Sequence, residues 1–178
     1  LVFASEAGSA ANLSVVIKLN EDRASFKVVG TEAGSKVFRS NNIEVQHTSV
    51  REQIDDAHQL LIDERPDVLL IGRCINPRSH ERALVRIARR AGIPSVSIID
   101  EWYDYRSNYS DELGNIFVPD TICCPDKQAL EEAVADGIPR HVLLVTGSPA
   151  LSVLVDQIYV SRRIPPENPF SGEKYATH

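Results

Sequence analysis

The sequence predicts an α/β protein with a Rossmann-like, mostly parallel sheet of about seven strands and helices on both faces. Six times along the 178 residues, a short apolar run is followed by a turn and then by a helix-like run. This alternation is typical of parallel sheets whose strands are joined by helical crossovers. Residues 68–71 are continuously apolar, as expected for a strand that is buried on both faces.

The predicted strands are short and rich in aliphatic residues. In chain order they lie at residues 1–5, 25–30, 43–47, 67–71, 95–100, 121–124 and 141–146. The first is followed by a turn of small residues, which is expected where a strand passes directly into a helix.

Six helices are predicted, at residues 10–19, 34–40, 50–64, 79–91, 127–135 and 151–162. The third shows helical spacing of apolar residues from Ile54 to Ile62, and Pro66 closes it because the residue before a proline disfavours the α conformation. Ser79 is a suitable N-cap for the fourth helix, and Gly92 a suitable left-handed C-terminal cap. Residues 101–120 show no clear period.

Composition excludes several classes of function. The net charge of −6 argues against nonspecific binding to nucleic acid, and no apolar run approaches the roughly 20 residues needed to span a bilayer. Three cysteines, two of them adjacent, form a poor disulfide framework and indicate a reducing compartment, so we expect a cytoplasmic protein. The spacings of a structural zinc site are absent, and we expect neither a metal nor a cofactor. The sequence is compatible with a homo-oligomer.

The sequence predicts one folded domain followed by a proline-rich segment. Residues 1–164 form the Rossmann-like domain, and the proline-rich residues 165–178 are a linker or tail. The sequence contains no methionine and starts inside an apolar strand, so we expect a fragment of a longer protein.

Ligands bind open parallel sheets at the carboxyl ends of the strands, where the winding direction reverses. A strand order of 3-2-1-4-5-6-7 would put that reversal between the first and fourth strands, beside residues 5–12 and 72–77. Residues 100–109 and 146–150 follow other strands at the same edge. The predicted ligand-binding residues are Ser5, Glu6, Gly8, Ser9, Asn12, Arg73, Asn76, Trp102, Tyr103, Arg106, Gly147 and Ser148.

The two loops at the reversal can each be interpreted in two ways. The small side chains of residues 5–12 allow close approach of a ligand to the backbone, and the following helix offers free N–H groups to an anion. The loop matches neither a dinucleotide-binding nor a Walker motif, and it could equally be a tight turn. Arg73 and Arg78 present forked donors for phosphate or carboxylate, unless they only pair with surface acids. Cys74 is expected to be a plain buried cysteine.

Asp100 is the predicted catalytic residue, since it ends a strand at this edge, where it could act as a general base or bind a hydroxyl. It opens a segment, residues 100–109, that holds the only tryptophan and three of the five tyrosines. Aromatic rings beside acids and an arginine suit a sugar or base pocket. The alternatives are a loop held by its own aromatic residues, or an interface. His47 and His80 are expected to be structural or exposed rather than catalytic.

Several phrases of the sequence, in this order and spacing, resemble the N-terminal half of type-B-fold glycosyltransferases, in the broad group that includes the UDP-N-acetylglucosamine 2-epimerases. The phrases lie at residues 3–5, 66–72, 92–96, 118–125, 137–139 and 145–149, and the resemblance covers about residues 1–154. Two departures are that Ser148 stands where asparagine is common, and that the first loop lacks the usual glycine-rich or histidine-bearing form.

The resemblance implies two Rossmann-like domains facing a cleft, with the acceptor mostly on the N-terminal half and the nucleotide-sugar mostly on the other. It therefore implies the acceptor-side domain of a nucleotide-sugar-dependent glycosyltransferase, whose partners are a nucleotide-sugar and a sugar acceptor. Whether this chain is an enzyme by itself stays open, and we expect the fragment alone to be inactive. The alternatives are a non-catalytic sugar- or nucleotide-binding module, and an interaction domain that docks through residues 101–118.

Overall fold

A computed structural model describes residues 1–47, 54–74, 79–111 and 113–163. In this part of the chain seven strands form one sheet, and all six neighbouring pairs are parallel. The strands are β1 (Val2–Ala4), β2 (Val28–Gly30), β3 (Gln46–His47), β4 (Leu69–Ile71), β5 (Ser95–Ile98), β6 (Thr121–Cys124) and β7 (Leu143–Val145). Their order is β3-β2-β1-β4-β5-β6-β7, the order on which the expected position of the ligand edge depends, and the predicted fold class is confirmed.

Helices cover both faces of the sheet. They are α1 (Ala7–Asn20), α2 (Glu32–Ser40), α3 (Ile54–Glu64), α4 (His80–Ala91), α5 (Tyr105–Asn108), α6 (Lys127–Ala135) and α7 (Pro149–Arg163). On one face α1 packs against α2 and α7; on the other α3 packs against α4, and α5 against α6. The sheet side chains alternate accordingly: Val2 and Ala4 join the core under α1 and α2, whereas Leu1 and Phe3 join the core under α3 and α4.

Most predicted bounds are right to within a few residues, and β6 and α6 match the prediction to the residue. The predicted start of the first helix, residue 10, is wrong: α1 begins at Ala7, because the extended backbone of Glu6 already serves as its N-cap position. The predicted fifth and seventh strands are too long. β5 ends at Ile98, and a 3₁₀ turn, Arg140–Val142, precedes β7. The first residues of the predicted third helix, 50–53, lie outside the described residues.

The predicted caps of α4 are confirmed. The Ser79 hydroxyl accepts a hydrogen bond from the Arg82 N–H, and Gly92 ends the helix with a φ of 70°. Residues 101–120, which show no period in the sequence, contain the single turn α5 and an isolated antiparallel bridge between Ser110 and Ile116.

The helix α7 is the least covered element. Every residue of it from Leu151 to Val160 is exposed, including Leu154, Ile158 and Tyr159, although most of its side chains are apolar. The predicted domain end at residue 164 and the predicted tail stay predictions, because residues 164–178 lie outside the described part of the chain.

Candidate functional site

The turns after β1 and β4 meet at the carboxyl edge of the sheet, where the winding direction reverses. The Ser9 hydroxyl, in the first turn of α1, donates to the Arg73 carbonyl and accepts from the Arg73 N–H, both at 3.2 Å. Gly72 makes this approach possible, since a Cβ at that position would lie 2.1 Å from the Cβ of Ser9. A side chain at residue 72 would therefore push the two turns apart.

A buried ion pair lies directly above this junction. Arg73 Nε is 2.7 Å from Asp100 Oδ1, and the two side chains are 3% and 7% exposed. The Arg73 guanidinium also pairs with the Glu101 carboxylate and donates to the Asn108 amide oxygen at 3.3 Å. Its Cζ lies 5.1 Å from the centre of the Tyr103 ring, within cation–π range. We call Ser9, Arg73, Asp100, Glu101 and Asn108 the polar cluster.

The second oxygen of Asp100 faces the start of α1. Asp100 Oδ2 lies 3.4 Å from Ser9 Oγ, whose single hydrogen is shared between this oxygen and the Arg73 carbonyl, and a Cβ on Gly8 would lie only 2.4 Å from the same Asp100 oxygen. Glycine at position 8 therefore lets the helix start come this close to the carboxylate. Both oxygens of Asp100 have a partner within the chain, so the carboxylate is held in one orientation.

Glu81 is a buried carboxylate beside the same loop. Its two oxygens accept from the N–H and the hydroxyl of Ser5, at 2.7 and 2.9 Å. Burial raises the pKa of Glu81 to about 7, against hydrogen bonds from Ser5 and Ser79 that lower it. The sequence places Glu81 near the start of the predicted helix at residues 79–91, and nothing in its spacing indicates a partner 76 residues away.

Asn12 joins the first loop to the turn after β7. Its amide oxygen accepts from the Ser148 hydroxyl at 3.1 Å and from the Ala150 N–H at 3.0 Å, and its own amide donates to the Gly8 carbonyl. Gly147 forms the turn with a φ of 88°, a conformation that favours glycine. All four turns that the sequence analysis placed at one edge therefore contribute to one connected set of contacts.

The aromatic segment is divided between the edge and the core. Trp102 and Tyr103 are 40% and 54% exposed, and the Trp102 indole donates to Asp126 at the start of α6. Tyr105 and Tyr109 are buried; the first donates to Glu132 and the second lies 2.9 Å from the Ser97 hydroxyl. Burial raises the pKa of both tyrosines. These two rings anchor the segment, as one of the alternative interpretations proposes.

Among the remaining predicted residues, Arg106 makes its contacts away from the polar cluster. Arg106 donates through its N–H to Asp136 and through its guanidinium to the Gly114 carbonyl, near the far end of α6. Glu6 is half-buried, and its carbonyl accepts the first hydrogen bond of α1. Asn76 lies outside the described residues.

The charges of the polar cluster determine what it can bind. One guanidinium faces two carboxylates, Asp100 and Glu101, so Arg73 is already neutralised within the protein. A ligand anion would have to compete with these carboxylates, whereas ligand hydroxyls could donate to them. The arrangement therefore suits a neutral, hydroxyl-rich group better than a phosphate.

Other kinds of site find little support among residues 1–47, 54–74, 79–111 and 113–163. Within these ranges no three His, Cys, Asp or Glu side chains are grouped to hold a metal ion, and no helix is long and apolar enough to cross a membrane. Cys74 is buried, as expected. A separate cavity of about 210 Å³ contains none of the predicted site residues; it is lined by Phe3, Val29, Gln46, Gln59, Leu60, Asp63 and His80.

Comparison with known proteins identifies the fold. No protein-family model matches the sequence, and no curated protein matches it. Solved structures do match. The UDP-GlcNAc 2-epimerase of Methanocaldococcus jannaschii, in complex with UDP-GlcNAc and UDP, superposes with a TM-score of 0.67 at 12% identity, over 91% of this chain and 50% of that chain.

Two bacterial structures agree. UDP-GlcNAc 2-epimerase from Neisseria meningitidis, bound to UDP-GlcNAc, gives a TM-score of 0.63 at 18% identity, over 95% of this chain and 53% of its own. UDP-N-acetylglucosamine 2-epimerase from Rickettsia bellii gives a TM-score of 0.61 at 15% identity, over 93% of this chain and 48% of its own. The chain thus spans about half the length of these structures, and the predicted resemblance to this group is confirmed at the level of the fold.

Proposed function

We propose that the chain is one half of a nucleotide-sugar-dependent enzyme and that its polar cluster binds the sugar rather than the nucleotide. The observation that carries this proposal is the Arg73–Asp100 pair, buried at the switch point of the sheet and already neutral. Charged carboxylates fixed in this way accept hydrogen bonds from sugar hydroxyls without having to be ordered first. Fold neighbours whose structures hold UDP-GlcNAc support the same class of ligand.

More specifically, we propose that the enzyme is a glycosyltransferase and that this chain is the half that binds the sugar acceptor. Asp100, the predicted catalytic residue, would orient or deprotonate an acceptor hydroxyl, and Trp102 and Tyr103 would flank the sugar ring. The cluster sets one guanidinium against two carboxylates, which favours a sugar over a phosphate at this edge. The other half of the protein would then hold the nucleotide.

A second candidate is a nucleotide-sugar epimerase, because the similar structures named above are UDP-GlcNAc 2-epimerases. The two reactions differ in a measurable way. A 2-epimerase has to remove and return the hydrogen on C2, so in heavy water it introduces deuterium there. A transferase releases UDP only when an acceptor is present. Proton NMR of UDP-GlcNAc incubated with the intact protein in heavy water, with and without added sugars, separates the two.

Binding can be tested without knowing the reaction. Trp102, the only tryptophan, lies beside the polar cluster, so its fluorescence should report a ligand there. We expect UDP-GlcNAc to change the emission and Asp100→Asn to weaken its binding about 10-fold or more, as for a lost hydrogen bond to a charged group.

The matched control is Glu131→Gln, which removes an exposed carboxylate from α6 and should leave the affinity unchanged. Titration with UDP alone should be insensitive to Asp100→Asn. Equal affinity of the wild type and Asp100→Asn for UDP-GlcNAc would refute the proposed role of the cluster.

A further inference from the structure

The contact between Glu81 and Ser5 has the geometry of a proton relay. Glu81 is 2% exposed, and its carboxylate accepts both the N–H and the hydroxyl of Ser5. The carbonyl of Ser5 is held from the other side, by the Thr31 hydroxyl at 2.7 Å and the Gly34 N–H at 3.3 Å. Ser5 is therefore fixed at the carboxyl end of β1, where the crevice begins.

The hydroxyl of Ser5 is suited to pass a proton on. It has a single hydrogen, which it donates to Glu81, and its lone pairs can still accept from another group. Ser5 is half-buried whereas Glu81 is fully enclosed, so a ligand in the crevice would meet Ser5 first. Asp100 differs, because its carboxylate is held in an ion pair with Arg73, which suits it to accept hydrogen bonds from the sugar rather than to take up a proton.

We infer that Ser5 and Glu81 together carry a proton to and from the sugar bound at this edge, an inference that rests on the proposed function. An acceptor hydroxyl gives its proton to Ser5 Oγ as its oxygen bonds to the anomeric carbon of the nucleotide-sugar, while the Ser5 proton moves to Glu81 Oε2. The bond from that carbon to the phosphate oxygen breaks, and the nucleotide diphosphate leaves with the electron pair. The Glu81 carboxyl group is then neutral, and it returns its proton through Ser5 to the leaving phosphate or to water, which restores the carboxylate. Ser5 is then the catalytic residue, Glu81 acts through it, and Asp100 orients the sugar.

The electrostatics of Glu81 support this role. Its pKa of about 7 lies where a group that both takes and gives protons works best at neutral pH. Arg82, on the same helix, interacts electrostatically with Glu81. The pKa of Arg82 is lowered by its own burial, and its electrostatic partners are Cys74, Glu81 and Asp111.

The test compares Ser5→Ala, Ser5→Thr and Glu81→Gln, with Glu131→Gln as the exposed control. Consumption of UDP-GlcNAc by the intact protein is followed by proton NMR, and binding by Trp102 fluorescence. We expect Ser5→Ala and Glu81→Gln to lower turnover about 100-fold or more with affinity within about 3-fold, and Ser5→Thr to keep most of the rate. The ionisation near pH 7 should disappear from the pH–rate profile of Glu81→Gln.

Carbon-13 NMR of the Glu81 carboxyl group gives a readout that does not need turnover. The Glu81 carboxyl group should titrate near pH 7, and Ser5→Ala should raise its pKa, because the carboxylate form loses a hydrogen bond. Turnover of Glu81→Gln at the wild-type rate would overturn the relay. So would a Glu81 carboxyl group that titrates at the usual pKa of a glutamate and whose pKa does not change in Ser5→Ala. If the wild type neither binds nor consumes UDP-GlcNAc, the proposed function fails, and the carboxyl titration alone decides whether Ser5 and Glu81 are coupled.

Discussion

Replacing Arg73 by methionine should be among the most damaging single changes in the chain. The guanidinium is 3% exposed and holds a carboxylate, Asp100, that is 7% exposed, so its removal leaves a buried charge without compensation. Such losses cost about 3–5 kcal/mol, a large part of the roughly 5–15 kcal/mol that stabilises an ordinary domain. Glu101 adds less, because it is 38% exposed and water can replace its partner.

The double variant Arg73→Met/Asp100→Asn makes the experiment specific. It removes both charges, so its stability should return to within about 1–2 kcal/mol of the wild type, and the double-mutant cycle should be strongly non-additive. Stability is measured by urea denaturation followed by circular dichroism at pH 7. Lys36→Met is the control, since its pair with Glu32 is 72% and 80% exposed and should contribute under about 0.5 kcal/mol.

Two results would refute this reasoning. A loss below about 1 kcal/mol in Arg73→Met would mean that the carboxylate finds water or another partner. Additive losses in the double variant would mean that the two side chains do not interact in solution.

Three further changes have defined outcomes. Gly72→Ala should cost about 1–3 kcal/mol in urea denaturation, because its Cβ would lie 2.1 Å from that of Ser9. Glu81 has a pKa of about 7 in the folded protein and about 4.5 in the unfolded chain. Its contribution to the free energy of unfolding is therefore complete below pH 4.5 and is lost as the pH rises through 7, by up to about 3 kcal/mol. The variant Glu81→Gln should flatten this dependence of Tm on pH. Asn12→Ala should speed amide hydrogen exchange in the first turn of α7, since two donors lose their acceptor.

Each of these expectations can fail. Unchanged stability of Gly72→Ala would mean that the two turns can separate, and an unaltered pH dependence in Glu81→Gln would place the titrating group elsewhere. For α7 the control is Asn20→Ala, because the side-chain amide of Asn20 donates a hydrogen bond within its own helix, to the Val16 carbonyl. Equal exchange in both asparagine variants would contradict the proposed link between α1 and α7.

The parallel sheet and its ligand edge could be predicted because the β-then-α alternation requires crossovers between strands that run in one direction. Right-handed crossovers leave few arrangements of seven parallel strands, and the same rule places the turns after β1, β4, β5 and β7 at one edge. Residues such as Arg73 and Asp100 could therefore be selected as neighbours in space. Their ion pair could not be derived, because it depends on side-chain directions in two turns that are 27 residues apart.

The aromatic segment shows where sequence reasoning fails. Arg106 lies only six residues after Asp100, but Asp104 between them has a left-handed conformation with a φ of 54°, and Arg106 contacts Asp136 at the far end of α6. Periodicity gives no sign of this conformation. Glu81 was missed for a related reason, since a glutamate in the first turn of a helix is explained by the helix alone.

Mapping the binding site by NMR is the most direct test of the central claim, that the polar cluster at the switch point binds a sugar. Backbone amide shifts of the protein are recorded while UDP-GlcNAc is added. We expect the largest changes at Ser9, Arg73 and Asp100, and their absence in Arg73→Met/Asp100→Asn. Changes confined to other parts of the chain, or the same changes in the double variant, would contradict the claim.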